Sequence, residues 1–285
     1  MHLTKKKTAI LVLALAMCIG VASATVLEYF GRIVTTVYVK QAVLLDGKDI
    51  TEMPITEEAN VAGGEFFLRS HWLQSQTSVP VELQFVTTPD EAGITVTYLK
   101  SVEYSYSKDF ETARGVLHVT VTDDGEWLTW TYIYAENPTH TPKMTVAINY
   151  PHGFCITTFD DGTHDGWYYA PDGGTEVKFA EYSGGTYEGW VETSASSNVL
   201  TVAIKKSALP DTFLWHGYAN YNGQQVWIEI DTNTWTPTGH ATIRESITSP
   251  FTLEPGERLD FYIKYEFATN ITPDVYTITT EVQPA

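Results

Sequence analysis

The sequence predicts an all-β protein, a jelly-roll-like antiparallel β-sandwich with a second β-sandwich domain inserted into it. Three observations predict this. Apolar and polar residues alternate at a period of two, most clearly where Leu259, Phe261, Ile263, Tyr265 and Phe267 interleave with Asp260, Tyr262, Lys264 and Glu266. The alternating runs are short and separated by Gly, Pro, Asn and Asp, the punctuation of sandwiches and jelly rolls. Past the first 24 residues no segment sustains a helical period.

The chain opens with Lys5, Lys6 and Lys7, an apolar run over residues 9–21, and Ala22-Ser23-Ala24. That order of basic, apolar and small residues reads as a secretory signal peptide covering residues 1–24. The apolar run is shorter than the roughly 20 residues a membrane helix needs, which favours removal over anchoring. Cys18 raises a lipoprotein signal, but Met17 stands where that signal wants a small residue. The expected product is secreted, extracellular or on the cell surface, with no membrane attachment after cleavage.

Residues 25–45 follow as one long alternating stretch, with Ile33, Thr35, Val37, Val39, Gln41, Val43 and Leu45 on one face. Fully extended it would reach roughly 70 Å, several times an ordinary strand. Either it bends into two strands, or its first part finds a partner outside its own domain. Leu45-Asp46-Gly47-Lys48 is a turn. Residues 55–60 (ITEEAN) and 109–114 (DFETAR) are the two places where a turn or two of helix is expected. Strands are expected around Val81, Leu83 and Phe85, then Ile94, Val96 and Tyr98, and a hairpin runs from Leu117 through Asp123-Asp124-Gly125 to Ile133. Further alternation marks Val146, Ile148, Leu200, Val202, Ile204, Val226, Ile228 and Ile230. Pro255-Gly256 opens the strand at 258–267, and Tyr276, Ile278, Thr280 and Val282 form the last one.

A chain of 285 residues is long for one sandwich. Seven of the eight tryptophans lie between residues 127 and 235, together with most of the Gly-rich turns. The flanks are plainer, rich in Thr, Val and Glu. The expected division is a jelly-roll sandwich made of residues 25–100 plus 240–285, with an aromatic-rich sandwich inserted at 101–239. Two sandwiches in tandem are the alternative.

The formal net charge of -18 argues against nucleic acid and anionic membranes as partners, and suits attraction of divalent cations. With the signal removed only Cys155 is left, so no intramolecular disulfide is expected, and the lone thiol reads as a small buried hydrophobe. His-Glu-x-x-His and Gly-x-Ser-x-Gly are both absent, and the many carboxylates single out no acid–base pair. No enzymatic activity and no cofactor are therefore expected. Asp160, Asp161 and Asp165 around Gly162 offer hard oxygen ligands to calcium, though their spacing is not that of an EF-hand and two tight turns would use the same residues. Trp167, Tyr168 and Trp190 are the candidate contacts for cell-surface glycans, against a role in the core. Asn270-Ile271-Thr272 is a glycosylation sequon in an expected turn.

The flanks resemble a family. The signal passing directly into ATVLEYFGRIVTTVYVKQAVLLDGK, then SQTSVPVELQFV, then FTLEPGERLDFYIKYEF and TPDVYTITTEV, is similar to the camelysin/TasA group of secreted jelly-roll proteins, which includes archaeal bundling-pilus subunits. The resemblance covers about 120 residues and leaves the aromatic middle without a counterpart. It implies an N-terminal strand donated to the next subunit, with Val26, Leu27, Tyr29, Phe30 and Ile33 as the donor by position. Such head-to-tail contacts do not close, so they build a homopolymer. The expected function is a structural subunit of a pilus or biofilm-matrix fibre. A carbohydrate-binding adhesin is the alternative, and an extracellular hydrolase comes after it.

Overall fold

The computed structural model describes residues 43–285, apart from 51–53, 61–62, 89–92, 136–137, 139, 161–164 and 272–274. The first strands are β1 (Val43–Leu45), β2 (Lys48–Asp49), β3 (Ile55–Asn60), β4 (Phe66–Ser75), β5 (Val81–Thr88) and β6 (Ile94–Ser101). The chain continues through β7 (Tyr106–Thr112), β8 (Gly115–Asp123), β9 (Trp127–Ile133), β10 (Lys143–Ile148), β11 (Phe154–Asp160), β12 (Asp165–Pro171), β13 (Val177–Ala180), β14 (Gly184–Tyr187), β15 (Val191–Ser196) and β16 (Val199–Lys205). After a single 3-10 turn at Lys206–Ala208 come β17 (Thr212–Tyr221), β18 (Gln224–Ile228), β19 (Ile230–Asp231), β20 (Thr236–Pro237) and β21 (Gly239–Thr242). The last four are β22 (Arg244–Ser246), β23 (Phe251–Leu253), β24 (Arg258–Phe267) and β25 (Val275–Pro284). The protein is all-β, and among the described residues the strand pairs are antiparallel.

The strands serve two cores. The sheet β2-β1-β4-β24-β6-β22 and the sheet β23-β5-β25-β3 enclose a core built on Leu73, Leu83, Phe261, Ile263 and Tyr265. The sheets β14-β15-β16-β9-β8-β7 and β13-β12-β11-β10-β17-β18 enclose a larger one, with Trp130, Trp167 and Trp215 fully buried. The chain leaves the first pair of sheets after Ser101 and returns to them at Arg244. Period-two alternation drives this directly. In β9 and β16 every second residue is buried, and in β24 the buried set is Phe261, Ile263, Tyr265 and Phe267.

Turn chemistry holds the registers. Asp46 and Gly47 both have positive φ, 50° and 81°, which is what a two-residue hairpin turn between Leu45 and Lys48 requires. The hairpin of β8 and β9 turns at Asp123-Asp124-Gly125, where Asp124 accepts hydrogen bonds from the backbone of Glu126 and Trp127.

Both expected helical turns are strands. Residues 55–60 form β3, laddered to β25 from Ile55↔Thr280 to Asn60↔Val275. Residues 109–112 lie in β7, where Phe110 faces Leu117 and Asp109 faces His118. Local helix preference in ITEEAN and DFETAR yields to the ladder bonds and cross-strand contacts of a ready neighbour.

Charged residues sit where the two cores meet. Arg244, 3% exposed, donates from Nε to Asp211 (2.6 Å) and from Nη1 to the Lys206 carbonyl (2.8 Å). Lys264 of β24 reaches the other oxygen of Asp211 at 3.2 Å. Lys206 donates to Asp123 at 2.7 Å and to Ser101 at 2.9 Å. These contacts tie β6, β22 and β24 to the β8–β9 turn and the 3-10 turn.

Candidate functional site

The two-sheet unit that contains β24 has thinly covered flanks. β23 pairs with residues 81–83 of β5 only. β22 pairs with residues 99–101 of β6, and Ile247 adds one bond to the Tyr98 carbonyl. On that side, among the described residues, no strand pairs with residues 84–88 or 94–97. β5 and β6 are consecutive in the chain but lie in different sheets. Between the sheets Phe85 and Tyr98 stack 4.1 Å apart, beside half-buried Ile94 and Val96, while Val86 projects from the other face of β5. The Thr87 and Tyr98 hydroxyls hydrogen-bond from one sheet to the other.

These edges carry none of the usual blunting residues. Gln84-Phe85-Val86-Thr87-Thr88 and Ile94-Thr95-Val96-Thr97 contain no charge, no proline and no glycine. Exposed edges are normally blunted with lysine, proline or bulges, because bare N–H and C=O groups template pairing with another chain. On the opposite flank, among the described residues, β1 pairs with only residues 73–75 of the ten-residue β4. There the bare run carries Arg69 and His71.

The proposed donor residues Val26, Leu27, Tyr29, Phe30 and Ile33 lie outside the described residues, as does the signal at 1–24. No helix among the described residues is long and apolar enough to cross a membrane.

Two of the three glycan candidates are core residues. Trp167 is fully buried, its Nε1 donating 3.0 Å to the Tyr182 carbonyl, and Tyr168 is 8% exposed. Neither ring offers a face to a sugar. Adjacent strand residues should point to opposite faces, but here a register shift in the β12–β13 ladder falls between these two, and both are covered. Trp190 differs. It is half-buried in a cluster with Phe154, Tyr169 and Tyr187, at centroid distances of 5.4, 5.7 and 5.6 Å. Those rings are occupied with one another, and the Trp190 indole N–H donates to Glu188 at 3.5 Å.

Asp160 and Asp165 are ladder partners at the hairpin between β11 and β12, while Asp161 lies outside the described residues. Among the described residues no group of three or more His, Cys, Asp or Glu side chains gathers to hold a metal. Asn270 is exposed on the turn after β24. Cys155 is a free thiol of intermediate exposure; burial, with Glu176 nearby, pushes its pKa up to about 11. That is the opposite of an activated cysteine.

No protein-family model and no curated protein matches the chain. The buried charges at the seam escape any reading of the sequence. Asp123, Lys206, Asp211, Arg244 and Lys264 come from distant segments and share no spacing.

Proposed function

We propose that the chain is a secreted structural subunit of an extracellular filament, a pilus or biofilm-matrix fibre, polymerised head to tail by strand addition. In this reading the β24-containing unit is a jelly roll that lacks a strand. The apolar segment at residues 26–33 of one subunit pairs with the edge of β5 or β6 in the next.

One observation carries the reading: two neighbouring strand edges, uncharged and free of proline, that no described strand covers. Five residues of bare ladder span roughly 17 Å, within reach of an eight-residue donor. The likeness of the flanks to the camelysin/TasA group agrees with it, and so does the acidic surface, which keeps unassembled chains apart.

Negative-stain electron microscopy of the chain starting at residue 25 tests it. Filaments are expected, and the chain lacking residues 25–32 should stay a folded monomer. Failure of the longer chain to polymerise under any ionic condition, or filaments undiminished by the deletion, would overturn the proposal.

A further inference from the structure

A cleft of about 370 Å³ opens at the seam between the two cores, over the outer face of β4 and β24. Its floor follows from the ladder register. Ser70 lies opposite Tyr262 and Trp72 opposite Asp260, so these four side chains project from one face of the sheet as two successive cross-strand pairs. The residues between them, His71 and Phe261, point the other way, and Phe261 is part of the core. Ser101 at the end of β6 and Gly125 in the β8–β9 turn complete the wall, so both units contribute. Gly125 has φ +96°, and a Cβ there would meet nothing within 4 Å, which leaves that side of the cleft open.

The lining is pre-set. The Arg258 guanidinium lies 4.4 Å from the centre of the Trp72 ring and donates twice to Asp260, at 3.0 and 2.8 Å. Ser101 Oγ accepts from Lys206, which is 2% exposed and ion-paired to Asp123. The Tyr262 hydroxyl hydrogen-bonds Ser101, and burial holds its pKa above the ordinary tyrosine value. A ligand entering the cleft therefore meets the uncovered part of one aromatic ring, an Arg–Asp pair, two hydroxyls held by hydrogen bonds at Ser101 and Tyr262, and the exposed hydroxyl of Ser70.

We propose that this cleft binds a neutral sugar ring. Arg258 covers one face of the Trp72 ring, so the apolar surface offered to a pyranose is the part of the indole that still lines the cleft. Asp260 accepts from ring hydroxyls and Arg258 donates to them, while Ser70, Ser101 and Tyr262 do either. Arg258 and Asp260, both about half exposed, present one charge of each sign and so no net charge to favour an ionic ligand. The volume lies at the lower end of small-molecule sites and suits one or two rings. The aromatic cluster around Trp190 has more rings, but they pack on one another, and Glu188 there is already bonded by Trp190 and Tyr187. This inference is independent of strand addition.

Saturation-transfer NMR on the full chain, with methyl glycosides of glucose, galactose, mannose and N-acetylglucosamine and with glucuronic and sialic acids, tests it. At least one neutral glycoside should bind, with calorimetry giving its affinity. Trp72→Ala should weaken it at least tenfold, and Trp190→Ala should leave it unchanged. Ser70→Tyr, which fills the cleft from an exposed strand position, should abolish binding without touching the tryptophan and serves if Trp72→Ala does not fold. Binding of none of the neutral glycosides, binding of the acidic sugars alone, or loss on Trp190→Ala with retention in Ser70→Tyr would overturn the assignment.

Discussion

Lys206 and Asp123 form an ion pair sealed at the seam between the two cores, with Nζ 2.7 Å from Oδ2 and each side chain 2% exposed. Lys206 also donates to Ser101, while Asp123 accepts from the backbone of Tyr104 and Gly125. Removing one partner strands the other charge away from water. Lys206→Met should therefore cost about 3–5 kcal/mol, measured by guanidinium unfolding. Asp123→Leu should cost more, because two backbone donors lose their acceptor as well. Combining the two changes should cost clearly less than the sum, since no unpaired charge is left, and a double-mutant cycle reads that coupling.

Trp167→Ala separates a core role from a binding role. The side chain is fully buried, and its indole N–H is satisfied inside the protein. The substitution should cost about 3–5 kcal/mol, as for other large aromatics cut to alanine. The expected readout is a lower denaturant midpoint, with glycan binding by the folded fraction unchanged.

The same residue shows where sequence reasoning succeeds and fails. Alternation in β9, β16 and β24 is legible because each strand has one buried face, and the period of two follows from the pleat alone. The Asp46-Gly47 turn is legible because only a few residues accept positive φ. Trp167 and Tyr168 mislead because a register shift is invisible in sequence, and aromatics suit both cores and platforms. ITEEAN and DFETAR mislead because their strand partners, β25 and β8, decide against local preference. The cleft could not be read at all, since Trp72 and Asp260 are neighbours only through the β4–β24 register.

Cys155 gives a pH dependence with a definite sign. Burial raises its pKa to about 11, above the ordinary value of 9.0. At pH 8 roughly one thiol in a thousand is ionised, so alkylation by iodoacetamide should be slow in the folded protein and fast after unfolding. The unfolded chain gives up this proton first. The corresponding stability, on the order of 2 kcal/mol, is fully present below pH 9 and is lost as pH rises towards 11. Cys155→Ala should flatten that part of the stability–pH curve, with the buried tyrosines accounting for what is left.

The bare edges of β5 and β6 make the sharpest prediction about assembly. Thr88 and Thr95 are exposed and lie on the partly laddered strands β5 and β6 of the two sheets, so neither is needed for the core. A lysine at either position adds charge to an edge that has none, the device by which natural sheets prevent strand addition. Thr88→Lys and Thr95→Lys should each change unfolding stability by less than about 0.5 kcal/mol. Light scattering should nevertheless show slower polymerisation, and the double variant should stay monomeric. Arg69→Ala, on the opposite flank, removes a charge from the other poorly covered edge and should leave the polymerisation rate unchanged. If Arg69→Ala altered the rate while the threonine variants did not, the acceptor would lie along β4 instead. If neither the threonine variants nor Arg69→Ala mattered, strand addition to this unit would not be what joins the subunits.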